Sequence, residues 1–175
     1  MGEEYEKLVE ILTVATDDNF ILDSSRSYFD CTNYYFEIDK DSTLQKRGPS
    51  KENRRDPIVG MGLLLDAQML PVGMKIFPGN ESEKPVMRDL IHDLKSRNNI
   101  KGRTVQIADK GLNCAKISIE AIDNGDGYLF SKSVKTLPER ERQWVLLDDG
   151  FETVFDQNGE PVYKIKECTD TFTYS

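Results

Sequence analysis

The sequence predicts an α/β fold built on a mixed sheet, and three observations carry that prediction. Residues 28–37 read "YFDCTNYYFE", an aromatic-rich strand, and residues 58–65 read "IVGMGLLL", apolar throughout as in a strand covered on both faces. The turn "DAQM" at 66–69 joins that second run to "PVGMKIF" at 71–77, which predicts an antiparallel hairpin. Beyond residue 78 helical and strand patterns alternate, so the second half should hold parallel neighbours joined by crossover helices.

Each element has its own local reason. Residues 4–14 carry Leu8, Ile11 and Leu12 between acids, an amphipathic helix with those three on its apolar side, followed by a polar linker over 16–27. The stretch 38–56 is polar and contains "QKRGPSKENRRD", a long exposed loop. In "PGNESEKP" (78–85) Ser82 is a helix cap and Pro85 an early helical position, where proline loses no helical hydrogen bond. The helix runs to about Arg97 with Val86, Leu90 and Leu94 on one stripe, Met87 and Ile91 beside it, and His92 on the polar side. Residues 104–108 form a short strand ending at Asp109. Asn113 reads as the cap of a helix with Ile117, Ala121 and Ile122 inward and Asn124-Gly125 as its stop, and "GYLFS" (127–131) is a further strand. After Ser131 the character changes: "LPERERQWVLL" is charged then apolar, and "FETVFDQNGEPVYKIKE" is a hairpin with Asn158-Gly159 at its turn.

The 175 residues, 38% hydrophobic and 31% charged, have a globular composition and suit one domain with a sizeable core, or one domain plus part of another. No apolar run approaches the ~20 residues of a membrane-spanning helix, and the N-terminus is acidic where a secretory signal is basic, so a soluble intracellular protein is expected. A formal net charge of −8 disfavours nucleic-acid binding over the whole surface and leaves room only for a local basic patch. Cys31, Cys114 and Cys168 form no C-x-x-C and read as small core residues, while His92, the only histidine, excludes a multi-histidine metal site within this chain.

Two carboxylates stand out. Alternation places Tyr28, Asp30, Thr32 and Tyr34 on one strand face, and an ionised carboxylate buried among rings is costly unless a cation or hydrogen bonds compensate it. Asp109 ends its strand before Lys110-Gly111, and in open α/β sheets ligands gather at the carboxyl ends of strands. On neighbouring strands, ~4.8 Å apart, the two would converge on one Mg²⁺, a hard ion that takes one or two carboxylates and completes its shell with water and phosphate oxygens. Two such ions ~3.5–4 Å apart clamp the attacking and leaving oxygens of a phosphoryl transfer. Spacing alone leaves the structural alternative open, in which Asp30 bonds backbone or threonine and Asp109 merely ends a strand.

The segments "YFDCTNYYFE", "GPSKENRRDPIVGMGLLLDAQMLPVGMKIFPGNESE", "TVQIADKGLN" and "GYLFS", in that order, resemble the catalytic domain of bacterial insertion-sequence DDE transposases, in the group where a β-rich insertion precedes the glutamate. The resemblance implies an RNase H-like fold with strand order 3-2-1-4-5 over residues 28–131, preceded by an N-terminal helix and linker (1–27) and followed by part of the insertion (132–175). It implies DNA strand cleavage and strand transfer dependent on Mg²⁺ or Mn²⁺, with Asp30 and Asp109 matching the family's two catalytic, metal-holding aspartates. Transposon ends and target DNA are the implied partners, a homodimer the implied synaptic state, and a bacterial cytoplasmic, nucleoid-associated location follows.

The family's third carboxylate, a glutamate on a helix after the insertion, has no counterpart in 132–175. Glu139 and Glu141 come too early and read as a solvated face. The chain therefore resembles a fragment or truncated product that ends inside the insertion and is inactive by itself. Lys46, Arg47, Lys51, Arg54 and Arg55 concentrate positive charge in one loop. Of these Lys51, Arg54 and Arg55, with Lys110, are the candidate DNA contacts, against a solvated loop balanced by Glu52 and Asp56. Thr32 and Asn33 either orient Asp30 or simply pack. A structure-specific nuclease and a catalytically dead, DNA-binding remnant are the competing functions.

Overall fold

In a computed structural model describing residues 2–49, 55–98 and 102–168, the aromatic run becomes strand β1 (Arg26–Tyr35). Burial alternates along it as period two requires: Ser27, Phe29 and Cys31 are buried, and Arg26, Asp30, Thr32 and Tyr34 are exposed. β1 pairs antiparallel with β2 (Ile58–Leu65), which turns back antiparallel into β3 (Pro71–Pro78). On its other side β1 pairs parallel with β4 (Val105–Ala108), and β4 pairs parallel with β5 (Gly127–Phe130). The five-stranded order β3-β2-β1-β4-β5 is the RNase H-like order that the resemblance implies.

Helix α2 (Glu83–Arg97) crosses over from β3 to β4, with Ser82 as its N-cap accepting from the Lys84 amide at 3.4 Å. Its five predicted apolar residues, Val86, Met87, Leu90, Ile91 and Leu94, are all buried in one core with Phe29, Cys31, Leu64, Val72 and Phe77. Gly62 permits this approach, because a Cβ there would sit 2.9 Å from the Val86 side chain and 3.0 Å from the Phe29 ring. Leu64 is fully buried, so truncating it to alanine removes about 2–5 kcal/mol. The expectation that 58–65 is covered on both faces is not met: Leu64 and its alternates are buried while Met61, Leu63 and Leu65 are half-buried. The core built with α2 lies on the Phe29 face, and these three share the shallower face with Asp30.

Helix α1 (Gly2–Asn19) runs further than predicted and takes up the start of the expected linker. It also presents a different side. Leu8, Ile11 and Leu12 are 55%, 55% and 54% exposed, whereas Tyr5, Val9 and Thr13 are half-buried. The reason is the edge strand, whose outward backbone groups need partners. The Tyr5 hydroxyl accepts from the Ile76 amide at 3.1 Å and donates to the Ile76 carbonyl at 3.3 Å. Arg97, ion-paired with Asp17 of α1, donates to the Val72 carbonyl at 2.8 Å. Polar needs of the strand thus set the helix's rotation against its apolar pattern.

Helix α3 (Ala115–Asp123) connects β4 to β5 and ends at Asn124, with Gly125 in the left-handed region at φ +75°. Cys114 precedes it in the cap position, so Asn113 is not its cap, and Ile122 is 55% exposed rather than inward beside buried Ile117 and Ala121. Of the cysteines only Cys31 is buried; Cys114 is half-buried and Cys168 exposed.

The chain divides into two compact units, 1–131 and 132–175. The second contains α4 (Glu139–Leu146) and an antiparallel hairpin of β6 (Glu152–Phe155) and β7 (Pro161–Ile165). Gly159 at its turn has φ +83°, and the Asp156 carboxylate accepts from the Asn158 amide at 2.8 Å and the Glu160 amide at 2.9 Å. Lys166 donates to the Trp144 and Leu147 carbonyls at 2.8 and 2.9 Å and lies over the Trp144 ring. Among the described residues no helix is long and apolar enough to cross a membrane.

Candidate active site

Register in the parallel part of the sheet determines what meets at its carboxyl end. Phe29 pairs with Ala108 and Ala108 with Phe130, a row of three strands whose next residues are Asp30, Asp109 and Ser131. The ring and methyl groups of the first row face the α2 core, so the following residues turn to the shallower face. β4 stops at Ala108, and Asp109, extended at φ −72° and ψ 168°, opens a 3-10 turn over Lys110–Leu112. One carboxylate oxygen of Asp109, Oδ1, accepts from its neighbour's amide, Lys110 N, at 2.6 Å and from Ser131 Oγ at 3.0 Å. Asn113 reaches back and donates Nδ2 to the Ser131 carbonyl at 3.1 Å.

Asp30 and Asp109 line one cleft of about 290 Å³, walled by Tyr28, Leu63, Leu65 and Ile107. The burial cost expected for Asp30 does not arise, because its residue is exposed on the open face of β1. What the cleft holds instead is two like-charged groups on adjacent strands between apolar walls. A cation shared between the two would attract both. The donor set is all carboxylate oxygen, which suits a hard divalent ion with water completing its shell. Among the described residues no group of three or more His, Cys, Asp or Glu could hold a metal ion.

Asp109 also borders a larger cleft, about 760 Å³, floored by the β3–α2 loop and the first residues of α2 (79–84) and walled by Asn33, Pro49, Lys110 and Gly111. The basic loop is stitched to its rim. Lys46 forms an antiparallel bridge with Ile58, and the Gly79 amide donates to the Leu44 carbonyl at 3.4 Å. Gly48 passes so close to Gly79 that a Cβ on Gly48 would lie 2.0 Å from the Gly79 carbonyl oxygen. Pro49 is thereby placed beside the cleft, and the chain leaves that point into the basic segment.

The basic residues fare differently. Arg47 pairs with Asp41 at 2.6 Å and donates to the Asp39 and Arg55 carbonyls, both at 3.1 Å, so it clamps the loop. The Arg55 and Lys110 residues are exposed, and Lys110 lines the larger cleft. Lys51 and Arg54 lie outside the described residues. Thr32 is exposed on the Asp30 face, Asn33 lines the larger cleft and His92 is exposed on α2. Glu139 pairs with Arg142, and Glu141 with Lys132 at 2.8 Å, in keeping with the solvated face expected of them. Sequence reasoning did not single out Ser131. Its signal was positional: it follows β5 as Asp109 follows β4, and parallel pairing sets the two side by side.

No protein-family model and no curated protein matches the chain. Solved structures do resemble it. The Mos1 transposase paired-end complex with left transposon end has 13% identity and a TM-score of 0.43, covering 69% of this chain and 39% of that one. The piggyBac transposase synaptic complex with hairpin DNA has 8% identity and a TM-score of 0.46, covering 87% and 35%. The Mos1 mariner paired-end complex with Mn has 15% identity and a TM-score of 0.42, covering 69% and 39%. This chain thus spans less than two-fifths of the length of each. At such identities and scores the likeness says nothing of the chemistry, which rests on the residues of the cleft.

Proposed function

We propose that this chain is the core of a DNA transposase, built for metal-dependent cleavage and joining of DNA strands and lacking its third carboxylate within residues 1–175. The observation that carries the reading is the meeting in one cleft of Asp30, midway along β1, and Asp109, which directly follows the parallel neighbour β4. These two residues would hold Mg²⁺ or Mn²⁺. When bound, such an ion supplies Lewis-acid stabilisation of charge on phosphoryl oxygens. The chain's own contribution is to orient the two carboxylates, to flank them with Tyr28, Leu63 and Ile107, and to meet DNA phosphates with Lys110, Arg55, Lys51 and Arg54. Transposon ends and target DNA are the substrates, and two copies act in the synaptic complex.

Cleavage of DNA carrying the element's ends tests this. Residues 1–175 should not nick it. A chain extended through the next helical glutamate should cleave it and transfer the strand, and Asp30→Asn or Asp109→Asn should abolish both, since the amide keeps the shape and removes the charge. Cleavage without strand transfer would make it a nuclease, and DNA binding without cleavage a dead remnant. Metal-dependent cleavage by residues 1–175, lost on Asp30→Asn, would locate a third ligand inside them. The basic loop is tested separately: replacing Lys51 and Arg54 with alanine should flatten the salt dependence of DNA binding by roughly one unit of slope per lost contact. An unchanged slope returns the loop to solvent.

A further inference from the structure

We infer that Ser131 and Asn113 are positioning residues for Asp109, fixing the carboxylate orientation in which it meets the cation; this rests on the metal-holding role proposed above. Asp109 is exposed, and an exposed carboxylate ordinarily turns about its last side-chain bond. Here two donors converge on the single oxygen Oδ1. Lys110 N approaches at 2.6 Å from the chain itself, and Ser131 Oγ at 3.0 Å from the neighbouring strand. Holding one oxygen from two directions sets the carboxylate plane and hence the direction of Oδ2.

Ser131 is itself held at both backbone groups. Its amide donates to the Ala108 carbonyl at 3.4 Å, prolonging the β4–β5 ladder by one residue, and its carbonyl accepts from Asn113 Nδ2 at 3.1 Å. The ladder fixes the serine's height along the sheet and Asn113 ties the residue to the turn that follows Asp109. The arrangement is a closed ring of contacts running Asp109, Ser131, Asn113 and back along the chain. Hydrogen bonds to a charged acceptor are the stronger kind, and partners behind a metal ligand commonly govern affinity by ten- to a hundredfold, ~10–100. The competing role is simple closure of residues 109–113 onto β5, which would matter for folding and not for the ion.

The test titrates Mn²⁺ alone into residues 1–175, following free Mn²⁺ by its EPR signal, for the native chain and for Asp109→Asn, Ser131→Ala, Ser131→Thr and Asn113→Ala. Urea unfolding in metal-free buffer is measured on each. Positioning predicts that Ser131→Ala weakens Mn²⁺ binding on the order of tenfold at an unchanged unfolding midpoint. Ser131→Thr, which keeps the hydroxyl, should restore the affinity, and Asn113→Ala should give a smaller loss. Native binding that is lost in Asp109→Asn but unaffected by Ser131→Ala and Asn113→Ala overturns the positioning role while leaving the metal reading intact. Affinity that falls only in step with stability, with threonine giving no rescue, assigns the ring to folding. Native binding no tighter than that of Asp109→Asn defeats the metal reading and the positioning role with it. Should Ser131→Ala not fold, the threonine and Asn113→Ala chains decide the outcome.

Discussion

Two regions of the main sheet treat aspartate in opposite ways. At the end where β1, β4 and β5 begin, Asp66 and Asp126 are buried and saturated. Asp66, 1% exposed, accepts from the Gln68 and Leu70 amides at 2.9 Å each and from the Asp23 amide at 3.0 Å. It therefore closes the β2–β3 turn, with Met69 at φ +65°, and ties the approach to β1 onto it. Asp126 pairs with Lys95 of α2 and accepts from the Thr104 amide at 3.0 Å and Gln106 Nε2 at 3.1 Å. On the open face Asp30, midway along β1, and Asp109, just past the end of β4, are exposed and share a cleft with apolar walls. A carboxylate ringed by donors inside the protein is spent on the fold. Two that line one solvent-exposed cleft stand where a cation could reach both.

The comparison breaks first at Asp126. Asp126→Ala leaves the Lys95 ammonium, the Thr104 amide and the Gln106 amide without their acceptor and should cost about 3 kcal/mol in urea unfolding, with Asp66→Ala not far behind. A change under ~1 kcal/mol would mean that burial and saturation do not mark structural acids here. The middle-sized effect belongs to the cleft: Asp30→Asn and Asp109→Asn, both at exposed positions, should alter stability by no more than ~0.5 kcal/mol. A loss as large as that of Asp126→Ala would place them with the structural acids.

The smallest effect sharpens the distinction with acids outside the core that are nevertheless hydrogen-bonded. Asp23 is held below the ordinary 3.8 chiefly by the side-chain and backbone hydrogen bonds from Ser25, and Asp156 below the same value chiefly by the Glu160 amide and then that of Asn158. Because folding depresses both values, their stabilising contribution is complete above the unfolded value near 3.8 and disappears as pH falls through the lowered folded values. Carboxyl NMR titration should place both midpoints below 3.8. Midpoints at or above it would remove those hydrogen bonds from the account.

Much of this was legible in the residues, for reasons that also mark where legibility stops. Asp30 and Asp109 declare themselves because a charge in an aromatic strand and a charge at a strand end are local anomalies, and the α2 core follows from a helical period that tertiary packing did not oppose. Helix α1 misled because Leu8, Ile11 and Leu12 form a good apolar stripe while the demand that decided its rotation, the open backbone edge of β3, came from residues about 70 positions away. Asp126 looks like any turn residue until Lys95 arrives from 31 positions upstream. Ser131 carries no anomaly whatever, since its place beside Asp109 exists only once parallel register is known. Asn113 was assigned to the nearer helix because capping is a local rule, whereas its side chain serves a strand 18 positions on.

The central claim is that Asp30 and Asp109 together hold one divalent ion. The most direct measurement is Mn²⁺ binding stoichiometry on residues 1–175, with Asp30→Asn, Asp109→Asn and Asp126→Asn as companions. The account predicts a single weak site that either cleft substitution removes and that persists in every folded molecule of Asp126→Asn. Binding that survives Asp30→Asn or Asp109→Asn, or that disappears from folded Asp126→Asn, would contradict it.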